Sequence, residues 1–158
     1  MKKKFFWNFF FILTVFLLDR VSKISIINLL ENSDNGHIQV TNFLSFNLIW
    51  NEGIAFGLFS FDEKLYYNFL TIIIILVTAV ILWMILKTRG LEKIAFLMIF
   101  GGSLGNIFDR LVYASVPDFI DLHFNNFNWF IFNVADIFIS MGVILLIYFE
   151  FFKKKINE

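Results

Sequence analysis

The 158-residue chain has 59% hydrophobic residues and a mean hydropathy of +0.76, which excludes an ordinary soluble domain because water could not solvate that much apolar surface. Its formal net charge is zero, and the absence of cysteine excludes disulfides, thiolate catalysis and zinc–thiolate sites. We predict one membrane-embedded domain over 1–158, and we expect no nucleic-acid partner.

The first hydrophobic run follows the basic start Met1–Lys4 and predicts a helix at about 5–27. A signal peptide also begins this way, but charged residues stand where a small-residue cleavage site would follow. We therefore predict a retained transmembrane helix.

Residues 28–64 are more mixed, with a turn cluster at Glu31–Gly36. Apolar residues then alternate with polar ones in a period of two at Ile38, Val40, Leu44, Phe46, Leu48 and Trp50. This pattern predicts short strands with one apolar face. Since open strand edges cannot lie in lipid, we expect a β-rich loop over about 36–60 at the membrane surface.

Three more apolar segments predict helices at about 66–86, 94–112 and 130–152, with Tyr113–Trp129 as a polar loop. The expected fold class is an all-α membrane protein with four transmembrane helices and a small extracytoplasmic β-cradle. Nine of the thirteen Lys and Arg residues lie on one side of these spans. The positive-inside rule then predicts that both termini are cytoplasmic and that the two large loops lie outside.

Three predicted helices carry a carboxylate at similar depth. Asp19, Asp109 and Asp136 lie 15 to 17 residues from the cytoplasmic charges of their helices. At 1.5 Å per residue this is roughly 22–26 Å, in a hydrocarbon core of about 30 Å. Ionisable groups inside a membrane usually mark function, although helix-end residues reaching for lipid headgroups are the alternative.

The spacing of polar residues groups several of them on common helix faces. Asp19 and Lys23 are four apart and can pair, whereas Arg20 is expected to point elsewhere and reach the lipid headgroups. Asn106, Asp109 and Arg110 can face one cavity, where the Arg110 fork suits carbonyl or carboxylate oxygens. An interfacial ion pair and a purely structural network are the alternatives.

Two further carboxylates stand at helix boundaries. Asp118 follows Pro117, which disfavours helix and frees the carboxylate to turn inward. Asn133 and Asp136 are three apart at the start of the last helix, where capping is the alternative role. Two nearby carboxylates tend to share a proton, so one can act as general base on water and the other as acid. The expected reaction class is acyl transfer to water.

The sequence patterns that would indicate other chemistries are weaker. Lys23 could in principle serve Ser22 as a base, and Asp118, Asp121 and His123 superficially resemble a metal-ligand cluster. A solvated loop explains the second pattern better, so we predict no metal and no cofactor.

Two other classes of membrane protein would use the same buried charged residues differently. A proton-coupled transporter would use buried Asp and Arg residues as a relay, but it predicts broken helices at the midplane and paired half-repeats that the chain does not show. A structural membrane subunit would use them only to pack helices.

Five motifs identify a family resemblance that runs nearly from end to end. They are D-x-x-[ST]-K as Asp19–Lys23, N-x-G-x-A-F as Asn51–Phe56, GG-x-x-GN-x-x-DR as Gly101–Arg110, V-x-DF as Val116–Phe119 and FN-x-AD as Phe132–Asp136. In the order of these motifs and in its number of predicted spans, the chain resembles signal peptidase II, the bacterial membrane enzyme that cuts the signal peptide from lipid-modified prolipoproteins. Ile54 departs from the pattern, since a small residue often stands there.

The resemblance implies an aspartic endopeptidase of the bacterial inner membrane that cuts before a diacylglyceryl cysteine, with its site near the outer face. It implies that Asp118 and Asp136 are the catalytic pair. The implied substrate-binding residues are Asn51, Asn106, Arg110 and Asn133, and the implied supporting residues are Asp19, Lys23, Gly53 and Asp109. The implied partners are the prolipoprotein, membrane lipid and globomycin-type inhibitors, and a monomer suffices chemically.

Overall fold

A computed structural model describes residues 2–31, 36–53, 63–124 and 127–157. In it there are four helices and four short strands, in the order α1 Lys2–Glu31, β1 His37–Gln39, β2 Leu44–Asn51, α2 Glu63–Lys87, α3 Leu91–Tyr113, β3 Val116–Phe124, β4 Phe127–Asn128 and α4 Val134–Asn157. The predicted fold class, four helices with a small sheet, is confirmed. Residues 32–35 of the predicted turn and 54–60 of the predicted β-rich loop, including Ile54, lie outside the described residues.

Within the described part of the chain, three helices are long and apolar enough to cross a membrane, namely Leu65–Lys87, Leu91–Tyr113 and Val134–Phe151. α1 is not one of the three. It has 30 residues, a length of about 45 Å at 1.5 Å per residue, and it carries three charged residues between positions 19 and 23. That α1 forms a fourth span therefore stays a prediction.

α3 is the central helix and packs against α1, α2 and α4. Small residues allow the close approach: a Cβ added at Gly101 would lie 2.8 Å from the Val15 side chain, and one at Gly102 would lie 2.6 Å from the Ala135 carbonyl oxygen. Such contacts are typical of helix pairs in membranes, where small residues let the backbones approach closely and van der Waals packing drives association.

The sheet is antiparallel in the order β1-β2-β3-β4 and packs against α1 and α3. Phe119 of β3 packs with Ile26 and Leu30 at the end of α1, and Phe46 and Ile120 extend this apolar cluster. The two strands predicted from the alternation, β1 and β2, are confirmed.

The prediction of a polar loop over Tyr113–Trp129 is wrong. Nine of these residues form β3, which pairs with β2 from Asn51↔Val116 to Leu44↔Leu122 around a bulge at Phe46/Ile49. The alternation of Ile120, Leu122 and Phe124 with polar residues was the missed signal.

We expect Gly102→Ala to destabilise the helix bundle, because the added methyl group meets the backbone oxygen of Ala135, which cannot turn aside. Overpacking of this kind costs about 1–3 kcal/mol, more than the gain in helix propensity of about 1 kcal/mol. The measurement is thermal unfolding of the purified protein in detergent. Ile94→Ala, on an exposed part of the same helix, is the control and should change little. A Gly102→Ala protein as stable as wild type would contradict this account of the packing.

Candidate active site

Four charged side chains from α1 and α3 form one buried cluster, called here the charge cluster: Asp19, Arg20, Lys23 and Asp109. Asp19 and Asp109 are fully buried, and Lys23 is 1% exposed. The Lys23 Nζ lies 3.0 Å from Asp19 Oδ2 and 2.7 Å from Asp109 Oδ2. The predicted pairing of Lys23 with Asp19 is confirmed, and Lys23 also pairs with Asp109.

The prediction that Arg20 points away to the lipid headgroups is wrong. Its guanidinium donates from Nη1 to Asp109 Oδ1, and from Nη2 to Asp109 Oδ2 and Asp19 Oδ2, both at 2.7 Å. Arg20 is only 8% exposed and lies against the rings of Phe16 and Phe108. Adjacent helix positions are 100° apart, but the long Arg side chain reaches back to the face that Asp19 occupies.

Side chains just before and within the first turn of α4 cap its N-terminus. Asn133 Oδ1 accepts from the Asp136 backbone N at 3.1 Å, and Asp136 Oδ2 accepts from the Asn133 backbone N at 3.2 Å. This is a reciprocal capping box with Asn and Asp in place of the usual residues. Asp19 Oδ1 also accepts from the Ala135 backbone N at 3.0 Å, so a carboxylate of α1 satisfies another orphan donor of the helix.

Asn133 connects the two carboxylates named by the motifs. Its Nδ2 donates to Asp118 Oδ1 at 2.6 Å, while its backbone N donates to Asp136. β3 presents Asp118 here because the chain before α4 pairs with β3, Phe132 N donating to Ile120 O at 3.1 Å. Asp118, at 4% exposed, also accepts from Asn51 Nδ2 at 2.9 Å. Asp118 and Asp136, called here the carboxylate pair, are thus linked through Asn133.

Asn106 joins this pair to the charge cluster. Its Nδ2 donates to Asp136 Oδ1 at 2.8 Å, and its Oδ1 accepts from Lys23 Nζ at 2.9 Å. Because the Lys23 ammonium occupies the oxygen of the amide, the Asn106 amide group is oriented with its donors toward Asp136.

Arg110 does not share a cavity with Asn106 and Asp109, contrary to the prediction. Its guanidinium lies 5.4 Å from the centre of the Tyr67 ring, toward α2. A Cβ on Gly53 would lie 3.2 Å from both terminal nitrogens of Arg110, and the φ of +76° also favours glycine there. The Asn51 side chain reaches the same turn, since its Oδ1 accepts from Gly53 N at 2.7 Å.

Arg110 lines a cavity with a volume of about 600 Å³. Its Nε and Nη1 atoms are buried and have no hydrogen-bond partner in the described structure. Glu52 lines this cavity and also a neighbouring polar one of about 350 Å³ that contains Asn51 and Asp118. Sequence reasoning missed Glu52 and Tyr67, and the position of Glu52 inside the Asn51–Phe56 motif was the available signal.

Burial raises the pKa of Asp118 to about 6, and the negative charge of Asp136 acts in the same direction. Hydrogen bonds from Asn51 and Asn133 and the positive charge of Lys23 lower the pKa, but they do not outweigh the burial. A carboxyl group that titrates near pH 6 is well placed for acid–base work at neutral pH.

The possible metal ligands of β3 do not converge. Asp118 and Asp121 lie on opposite faces of the strand, and Asp121 pairs with Ser45 at 3.3 Å. Among the residues that the structure describes, no group of three His, Asp or Glu side chains could hold a metal ion.

Known proteins are similar to this chain along most of its length. The family model described as signal peptidase (SPase) II matches residues 11–152. A lipoprotein signal peptidase of Pelagibacter ubique is 51% identical over 158 residues, covering 99% of this chain and 95% of the relative. That of Thermodesulfovibrio yellowstonii is 39% identical over 137 residues, covering 87% and 89%.

Two solved structures of bacterial membrane enzymes have the same fold. One superposes with a TM-score of 0.77 at 28% identity and covers 96% of this chain and 90% of its own. The other has a TM-score of 0.75 at 29% identity, with 89% and 90% covered. With the family model matching most of its length, the chain belongs to the signal peptidase II family.

Proposed function

We propose that Asp118 and Asp136 together activate a water molecule for amide hydrolysis in this aspartic endopeptidase. The observation that carries the proposal is the bridge by Asn133, whose side chain binds Asp118 and whose backbone binds Asp136. A carboxylate pair linked in this way keeps a fixed separation and can hold one proton between two sites.

The proposed reaction needs one proton on the pair. The ionised carboxylate takes a proton from water as the water oxygen attacks the scissile carbonyl carbon, and the protonated one donates its proton to the carbonyl oxygen. The tetrahedral intermediate then breaks its C–N bond, and the amine nitrogen leaves with a proton from the pair. No covalent intermediate forms.

We propose that Asn51, Asn106, Asn133 and Arg110 line the bound substrate. Three of them are amides that already contact the carboxylate pair, and the Arg110 guanidinium, which lines a cavity of about 600 Å³, supports a role in holding substrate carbonyl oxygens. Asp19, Lys23, Asp109 and Gly53 would support these residues without contacting the substrate.

The substrate is proposed to be a prolipoprotein cut before its diacylglyceryl cysteine. An apolar cavity of about 290 Å³ beside Asp136 supports this, since it is lined mainly by aromatic and aliphatic residues of α4 and the chain before it, among them Phe130, Phe132, Ile137 and Met141. A lipid-modified residue could enter such a site from the bilayer.

This bacterial membrane protein has several spans, and we propose that both termini are cytoplasmic with the sheet and the site at the outer face of the inner membrane. The distribution of Lys and Arg supports that orientation. We further propose a single domain acting as a monomer, with membrane lipid around it, that globomycin-type inhibitors block at the carboxylate pair.

We expect Asp118→Asn and Asp136→Asn each to lower kcat by about 10²- to 10⁴-fold, because an amide can neither accept the proton of water nor share one. The assay is cleavage of a diacylglyceryl-modified prolipoprotein by purified protein in detergent with lipid. Asp121→Asn, on the same strand but paired with Ser45, is the matched control and should cleave normally. Full cleavage by Asp118→Asn would show that the pair is assigned wrongly, and failure of both variants to insert and fold would favour a structural role.

Cleavage should decrease as the pH falls through about 6, where Asp118 gains a proton and the pair loses its base. Asn51→Ala removes a donor that stabilises the ionised carboxylate, so the pKa of Asp118 rises and this decrease moves to higher pH. The measurement is kcat against pH, with Asn47→Ala on the same strand as control. A shift to lower pH, or none, would exclude this role for Asn51.

Arg110→Lys keeps the positive charge but loses the planar fork, so we expect kcat/KM to fall about tenfold or more. Arg89→Lys makes the same exchange at an exposed turn and serves as the control. Equal kcat/KM for Arg110→Lys and wild type on the same prolipoprotein would show that Arg110 does not hold the substrate.

A further inference from the structure

We propose that Arg20 is a positioning residue for Asp136, acting through Asp109, Lys23 and Asn106. The inference rests on the proposed role of Asp136 and extends it to a residue that does not contact the substrate. Of the residues in this chain of contacts, Arg20 on α1 lies farthest from Asp136.

The guanidinium of Arg20 is held on several sides. It contacts both oxygens of Asp109 and one oxygen of Asp19, and the ring of Phe108 lies 5.0 Å from its central carbon. A planar group with donors on two edges fixes the plane of the Asp109 carboxylate as well as its position. A lysine could offer only one point charge.

The fixed carboxylate in turn places Lys23. Asp109 Oδ2 accepts from both Arg20 Nη2 and Lys23 Nζ at 2.7 Å, so the two cations share one oxygen. Lys23 Nζ then donates to Asn106 Oδ1 at 2.9 Å, and Asn106 Nδ2 donates to Asp136 Oδ1 at 2.8 Å. Each contact leaves its donor little freedom, and a displaced Asp109 would therefore displace the amide that binds Asp136.

Arg20 also balances charge. The charge cluster holds two cations and two carboxylates and is neutral, and without Arg20 it would carry one net negative charge. Among the described residues, the ionisable groups that act on Asp118 or share a cavity with it are Asp136 on α4, Lys23 on α1 and Glu52. A cluster with a net negative charge would oppose ionisation of the carboxylate pair, and Lys23 would be drawn more strongly to Asp19 and Asp109.

The test compares Arg20→Gln with Arg20→Lys in the prolipoprotein cleavage assay, measuring kcat, KM and the pH profile of kcat. For Arg20→Gln we expect kcat to fall about 10- to 100-fold, with KM changed less than about threefold, because geometry at Asp136 is lost and the substrate cavity is not touched. The decrease in activity at low pH should move to higher pH. For Arg20→Lys we expect a smaller loss of kcat and a pH profile like that of wild type, because the charge is kept.

Two controls separate positioning from stability and from total charge. Val15→Ala weakens the contact of α1 with Gly101 of α3 away from the charge cluster, so it should lower the unfolding temperature but keep kcat and the pH profile. Arg89→Gln removes a positive charge at an exposed turn and should change neither.

The proposal is overturned if Arg20→Gln behaves like Val15→Ala, with lower stability but wild-type kcat and pH profile. If Arg20→Gln does not fold, Arg20→Lys decides: unchanged kcat overturns the proposal, and a lower kcat with unchanged KM supports it. Asp136→Asn is measured alongside. Full activity of that variant would refute the assignment of Asp136 itself, whatever the Arg20 variants do.

Discussion

The buried charge cluster of Asp19, Arg20, Lys23 and Asp109 is the interaction on which the rest of the structure depends. Charges removed from water are costly, and removing one partner from such a set costs about 3–5 kcal/mol because the others remain buried and unpaired. The cluster is neutral, and nearly every polar atom in it has a partner. Its contacts determine how α1 lies against α3, and the second oxygen of Asp19 extends the same constraint to the start of α4.

At the start of α4, helix capping and the candidate chemistry use the same atoms. Asn133 ends the extended chain that pairs with β3, caps α4 through its side-chain oxygen, and binds Asp118 through its side-chain nitrogen. The capping interpretation and the functional interpretation of Asn133 and Asp136 are therefore compatible. A helix start in lipid needs its donors satisfied, and two side chains that satisfy them are held rigidly enough to orient a second carboxylate.

The surroundings differ on the two sides of the carboxylate pair. Asp118 borders a polar cavity with Asn51 and Glu52, whereas Asp136 borders an apolar one lined by Phe132 and residues of α4. An enzyme that hydrolyses an amide next to a lipid-bearing residue needs both kinds of surface, since water must reach the reacting carbon and acyl chains must not leave the bilayer. The described structure offers both within reach of one pair.

The sequence by itself determined the helices, the short strands β1 and β2, and the family, because long apolar runs, period-two alternation and spaced polar motifs are local patterns. It did not reveal β3, whose Asp118 was assigned to a loop, nor the inward turn of Arg20 and the separation of Arg110 from Asn106. Those features depend on which partner a long side chain or an exposed strand edge finds. Arg20 reaches Asp109, 89 positions along the chain, and β3 forms because β2 lies beside it. Only tertiary packing brings such partners together, so only the tertiary structure could decide between a side chain in lipid headgroups and one in a buried ion cluster.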